Sequence, residues 1–149
     1  MNVRIATAED AAVIRDLRLA MLQEVAAPLP AELPAAIDAY LHRSLANGSC
    51  LCALLEEAGR PVSPAMLCLG QSVPDEFNRT GRYAILASVY TLPEFRGQGR
   101  MEHLLRYLFE QGRQAVVREI LATAEEKALP LYKRLGFTLQ TNGILLELD

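Results

Sequence analysis

Two short stretches hold residues whose types and spacing suit chemistry. The first, Arg96-Gly97-Gln98-Gly99-Arg100, lies between the apolar run 83–91 and the helically patterned run 101–114. A strand that breaks into a glycine-rich turn and re-enters as a helix leaves several backbone N–H groups unpaired and convergent. With the positive end of the helix dipole, they make a site for a phosphate or pyrophosphate. Glycine there lets the chain lie close against an anion that a side chain would hold away. Such a turn is common punctuation between a strand and a helix, so it gains weight only from the second stretch, Leu131-Tyr132-Lys133-Arg134-Leu135-Gly136-Phe137. Taken alone, Tyr132 reads as an aromatic that packs a short helix on a sheet.

The remaining reactive side chains form no recognisable set. Cys50, Cys52 and Cys68 are an odd number of cysteines, which argues against a disulfide framework. Cys50 and Cys52 point to one face of a strand, yet no second pair or nearby histidine completes a metal site, so all three read as small buried hydrophobes. Cys68 has no adjacent base in sequence that would make it a nucleophile. His42 and His103 have no partner at metal spacing. Asp75 and Glu76 lie in a polar loop, and Glu24 and Glu32 bracket the first helix pair. Any of these four carboxylates is able to line a site, but each reads more often as a solvated loop carboxylate, so no general base is assigned. Ser88 and Tyr90 offer hydroxyls for a water relay but are also ordinary strand residues.

The elements that must position these groups follow from hydrophobic period and breakers. Residues 3–6 read as a strand, after which Thr7 and Asp10 cap a helix with Ile14, Leu17, Met21 and Val25 on one face. Pro34 starts a second helix striped by Ile37, Tyr40, Leu41 and Leu45, and Asn47-Gly48 ends it. The continuous apolar run 49–55 predicts a strand buried on both faces. A turn over 57–61 leads to a strand over 62–69, and a polar loop over 71–82 to the strand 83–91. After the glycine turn, Met101, Leu104, Leu105, Leu108 and Gly112 share one side of a helix. A strand over 119–124, a short helix over 130–135 and a closing hairpin of 137–140 with 144–148 complete the order. The result is an α/β mixed sheet of about six to seven strands with helices on both faces.

Bulk properties narrow the function. At 149 residues the chain is expected to form one domain over 1–149 with a single core. It is 51% hydrophobic with a net charge of −3 and has no basic run, which argues against nucleic acid as a partner. Uncharged runs are too short and too interrupted by proline and glycine to span a membrane. Met1 leads straight into patterned sequence with no leader, so a cytoplasmic protein is expected. The apolar content is compatible with a homodimer.

Pro93-Glu94-Phe95-Arg96-Gly97-Gln98-Gly99, preceded by Val89-Tyr90-Thr91 and followed by the Leu131–Phe137 segment, resembles the GNAT superfamily of acyl-CoA-dependent N-acyltransferases. The likeness includes element order and runs over essentially the whole chain. It implies that the backbone amides of Arg96, Gly97, Gln98, Gly99, Arg100 and Met101 hold the pyrophosphate of acetyl-CoA, with the arginines adding charge. It implies a bulged strand splayed from its neighbour, in which Val89, Tyr90 and Thr91 present backbone groups to the pantetheine arm. It also implies that Tyr132 is the acid that protonates the departing thiolate, for which its ordinary pKa of about 10 is suited. Two places depart from the family pattern: Met101 stands where the turn has a small residue, and Thr123 and Ala124 stand where many members carry an asparagine. The function expected is direct acetyl transfer from acetyl-CoA to a primary amine of a small molecule or peptide. The alternative is a catalytically weak CoA-binding or sensing module on the same fold.

Overall fold

The computed structural model describes every residue except Ala27. In chain order the elements are β1 (Asn2–Ile5), α1 (Ala11–Val25), α2 (Leu33–Asn47), β2 (Cys50–Glu57), β3 (Arg60–Gln71), β4 (Arg82–Ala87), α3 (Arg100–Gln114), β5 (Glu119–Leu121) and α4 (Leu129–Arg134). The strands lie side by side in sequence order. The first four pair antiparallel, and β5 runs parallel to β4. No helix among the described residues is long and apolar enough to cross a membrane.

The apolar run in β2 is buried on both faces because helices cover both. Cys50, Cys52 and Leu54 point into a cluster with Ile14 of α1 and with Ile37 and Leu41 of α2. The alternate residues Ala53 and Leu55 point into a larger cluster with Leu104, Leu105 and Leu108 of α3. Alternation along the strand thus serves two cores at once. Gly112 lets α3 settle on β3, since a Cβ there would lie 2.9 Å from Leu67 Cδ1. At the other end, Asp10 accepts from the Thr7 N–H at 2.8 Å and from both terminal nitrogens of Arg4 at 2.8 Å, which ties β1 to the start of α1.

Three expected elements differ from what forms. The strand expected over 83–91 leaves the ladder at Ala87, where Ser88 takes a positive φ of 54°. The strand expected over 119–124 ends at Leu121 because its only partner, β4, pairs no further than Ile85. The closing hairpin is not formed, so the sheet has five strands among the described residues rather than six or seven. Phe137 is anchored edge-on against Tyr132 and Phe109. Beyond it the chain meets little packing, and Ile144 is 99% exposed. A three-residue β5 offers few edge groups to template a further strand, and a lone hairpin is marginal in water.

Candidate active site

Beyond their three paired residues, β4 and β5 separate and leave a gap. Ala87 still faces Met66 of β3 in regular register. Beyond the positive φ at Ser88, the Tyr90 N–H donates to Pro64 O at 3.3 Å and the Leu92 N–H to Val62 O at 3.0 Å. The regular register would have set Val89 opposite Pro64, so one extra residue has been inserted. This bulge swings the chain after Ala87 away from β5. The opening is a cavity of about 550 Å³, walled by residues 86–91 on one side and by Ala122, Thr123 and Ala124 on the other. Alternation decides which backbone groups face it. Tyr90 is turned inward, its carbonyl accepting from Ser63 Oγ at 2.6 Å. The N–H groups of Val89 and Thr91 have no acceptor among the described residues.

The slot leads into the glycine turn through a smaller cavity of about 250 Å³ that shares Thr91, Arg96, Met101 and Leu131 with it. Gly97 and Gly99 have φ of 81° and 74°, and Gly99 is the N-cap of α3. A Cβ on either would meet no protein atom within 4 Å, so protein packing does not demand glycine; the left-handed backbone does. The first intrahelical bond is from the His103 N–H to Gly99 O at 3.3 Å. Ahead of it the N–H groups of Gly97, Gln98, Gly99, Arg100, Met101 and Glu102 have no acceptor among the described residues. Together with the dipole of α3, they form a donor set fit for a diphosphate. The Met101 side chain packs on the larger core cluster, which leaves its N–H in this set.

The two arginines, expected to add charge to the turn, are committed elsewhere. Arg96 donates to Thr91 O at 2.8 Å and reaches both oxygens of Glu24 at 2.9 and 3.0 Å. Its guanidinium also lies over the Tyr90 ring at 5.3 Å. The Tyr90 hydroxyl donates to the same Glu24 at 2.7 Å, and these two donors hold the Glu24 carboxyl below its ordinary range. Arg100 points back to β2 and donates to Glu57 at 2.6 Å. The donors left free at the turn are therefore backbone amides, and the paired arginines brace its two ends.

Tyr132 lies in α4, started by Pro130 in its first turn. It is 8% exposed and lines the slot opposite the bulged strand. The Phe137 ring packs edge-on against it at 5.3 Å and orients it. No described residue hydrogen-bonds its hydroxyl. Burial pushes its pKa above the ordinary phenol value, so it stands in the slot as a protonated acid.

A bulged strand, a splayed slot, an amide-lined turn and a buried tyrosine at the slot wall now lie together. The profile of the Acetyltransferase (GNAT) family matches residues 14–137. The chain belongs to this family. Family membership makes acetyl-CoA its acetyl donor and acetyl transfer its chemistry. Solved structures share the fold. A predicted acetyltransferase with acetyl-CoA from Clostridium acetobutylicum superposes with a TM-score of 0.90 at 24% identity, over 99% of this chain and 96% of that one. A GCN5-related N-acetyltransferase from Ralstonia eutropha JMP134 follows with 0.82 at 22% identity, over 99% of both chains. Glucosamine-6-phosphate N-acetyltransferase from Arabidopsis thaliana gives 0.73 at 12% identity, over the whole of both. No curated protein matches the sequence.

On the side of this GNAT slot facing α1 and α2, a separate cavity of about 300 Å³ shares Ala87 and Ser88 with it. Arg18 donates to Ser88 Oγ at 2.8 Å across the junction. The carboxylates considered from sequence do not line this cavity. Asp75 accepts from the Phe77 and Asn78 N–H groups of its own loop, and Glu24 is held by Tyr90 and Arg96. Cys50 and Cys52 are buried as expected, but Cys68 is only half-buried and lines the cavity. Sequence reasoning also missed Lys127, which lines the slot, and Arg134, which lines the turn. The signal for Arg134 was present in its place two residues after Tyr132. Nothing local marked Lys127.

Proposed function

We propose that the protein is a cytoplasmic N-acetyltransferase that moves the acetyl group of acetyl-CoA directly onto a primary amine of a small molecule or peptide. The observation that carries this reading is the continuity of three spaces: amide-lined turn, slot and apolar cavity meet end to end, with Tyr132 on the slot wall. The turn, from Arg96 to Met101, would hold the pyrophosphate. Through their free N–H groups, Thr91 would hydrogen-bond the pantetheine arm and Val89 the thioester end of the cofactor. Tyr90 would serve through its side chain, keeping Glu24 and Arg96 in place rather than touching the arm with its backbone.

The neutral amine attacks the thioester carbonyl from the cavity side. Negative charge on the oxygen is met by the Val89 N–H, a contribution of about 3 kcal/mol for one well-placed donor. As the carbon–sulfur bond breaks, the Tyr132 hydroxyl gives its proton to the sulfur, which avoids release of a free thiolate. Titration calorimetry with acetyl-CoA, free CoA and ADP, followed by thiol release over an amine panel, tests the reading. Micromolar acetyl-CoA binding with amine-dependent, stoichiometric acetyl transfer is the expected result. Binding without turnover on any amine would make the protein a sensing module instead.

A further inference from the structure

The acceptor-side cavity has a wall of Ile37, Met66 and the Tyr40 ring, and its polar lining is confined to Arg18, Cys68, Ser88 and the Tyr40 hydroxyl. No carboxylate or histidine lines it, although an amine acceptor arrives largely as an ammonium and must lose a proton before it can attack. Resting on the acetyl-transfer reading above, we propose that Cys68 is the catalytic base that takes this proton, and that the cavity accepts a compact apolar primary amine.

Three neighbours prepare the sulfur for the task. Cys50 faces Cys68 directly across the β2–β3 ladder. Because the Leu69 N–H bonds to Ser49 O at 2.9 Å, the 49/69 pair is a hydrogen-bonded one. The 50/68 pair is therefore the non-hydrogen-bonded kind, in which side chains approach most closely. From α2, the Tyr40 hydroxyl donates to Cys68 Sγ at 3.2 Å. From α1, Arg18 adds a positive charge, and it has no carboxylate partner among the described residues. Cys50, Tyr40 and Arg18 are the titratable or charged groups that face the thiol; its β4 partner, Ile85, is neutral. The facing Cys50 thiol, then the Tyr40 hydrogen bond and the field of Arg18, hold the Cys68 thiol below its ordinary value against the opposing effect of burial. Both partners are pushed above their ordinary values, Tyr40 chiefly by burial and Cys50 chiefly by Cys68, and so remain donors.

The proton balance closes. The Cys68 thiolate takes one proton from R–NH3⁺ to give R–NH2 and a thiol. The amine nitrogen bonds to the acetyl carbon as the carbon–sulfur bond breaks. Of the two protons lost by nitrogen, one is released from Cys68 to solvent and the other restores Tyr132, whose own proton has passed to the CoA sulfur. The same chemistry sets the substrate class. A second ammonium in the acceptor would face Arg18 with no carboxylate to meet it, so polyamines are disfavoured and the apolar wall selects a hydrocarbon side chain.

Two measurements on the full chain test this. The pH dependence of iodoacetamide alkylation at Cys68, located by peptide mass, reads the thiolate directly and needs no turnover. We expect half-maximal rate at a pH well below that of an ordinary thiol, shifted upward in Tyr40→Phe. The kcat/KM profile for butylamine and 2-phenylethylamine should share that acid limb and move with it in Tyr40→Phe. Cys68→Ser, folded by its melting curve, should lose roughly 100-fold in kcat/KM with unchanged acetyl-CoA affinity. An alkylation midpoint near that of a free thiol, or an acid limb unmoved in Cys68→Ser and Cys68→Ala, would overturn the proposal. So would a 42 Da adduct on Cys68 that turns over with the amine, which would make it a nucleophile, or a preference for spermidine. Failure of acetyl-CoA to bind or transfer, beside a low alkylation midpoint, would refute the transfer reading and leave Cys68 only a reactive thiol.

Discussion

Gly99 is where the left-handed backbone and the free donors of the turn coincide, so Gly99→Ala separates two reasons for a glycine. The residue has φ of 74° as N-cap of α3, and a Cβ there would meet nothing within 4 Å. Steric overlap within the protein is therefore absent, and the cost is the left-handed conformation itself, about 1–2 kcal/mol for alanine. For a chain of this size each kcal/mol lowers Tm by about 2–4 °C, so a fall of roughly 2–8 °C is expected. If alanine relaxes out of this conformation, the N–H groups from Gly99 to Met101 no longer converge. Loss of one hydrogen bond to a charged group, about 1.5–3 kcal/mol, weakens CoA binding by roughly 10- to 150-fold. Calorimetric titration of CoA and a thermal melt on the same sample give both values. Gly99→Asn is the control, since asparagine tolerates this backbone far better. It should recover most of the Tm; recovered affinity would assign the glycine to conformation, and persistent weakness would assign it to close approach of the phosphate. CoA affinity within twofold of wild type in Gly99→Ala, despite a lowered Tm, would refute the assignment of the turn as the diphosphate site.

Other consequences are simpler. Tyr132→Phe removes a hydroxyl that no described residue bonds, so Tm and acetyl-CoA affinity should hold while turnover falls roughly 100-fold; equal turnover across the pH profile would remove Tyr132 from the mechanism. Met101→Gly strips packing from the larger core cluster but leaves the free N–H. CoA affinity should be preserved while Tm drops, and a clear loss of affinity would mean that the methionine itself touches the cofactor. Asp10 has its carboxyl lowered from 3.8, chiefly by its hydrogen bond from Arg4. A depressed acid stabilises the fold above its unfolded pKa, and that contribution is lost as pH falls through the folded value. The Tm gap between wild type and Asp10→Asn should therefore be full at pH 7, begin to narrow below about pH 4 and go on narrowing as pH falls through the lowered folded value; a gap that does not change with pH would place the effect outside ionisation.

Much of the chain's plan is set by features local in sequence, which is why it was legible there. Helical and strand periods, Pro34 and Pro130 at helix starts, Gly48 at a helix end and the Arg96–Arg100 turn all act through the backbone of a few adjacent residues. The turn's free amides and the position of Tyr132 on a short helix belong to this class. What sequence alone left open depends on partners far along the chain. Arg96 answers to Glu24 and Arg100 to Glu57, so two cations that looked free for phosphate brace the scaffold. The run after Ala87 reads as strand because its residues suit one, but the ladder with β3 imposes the bulge at Ser88 and thereby opens the slot. The closing hairpin has the right pattern yet finds too short an edge to pair with. Cys68 is indistinguishable from Cys50 and Cys52 by composition. Only the packing of α1 and α2 over β3 leaves it half-buried beside Tyr40, because burial and electrostatic environment are properties of the assembled layers and not of any window of sequence.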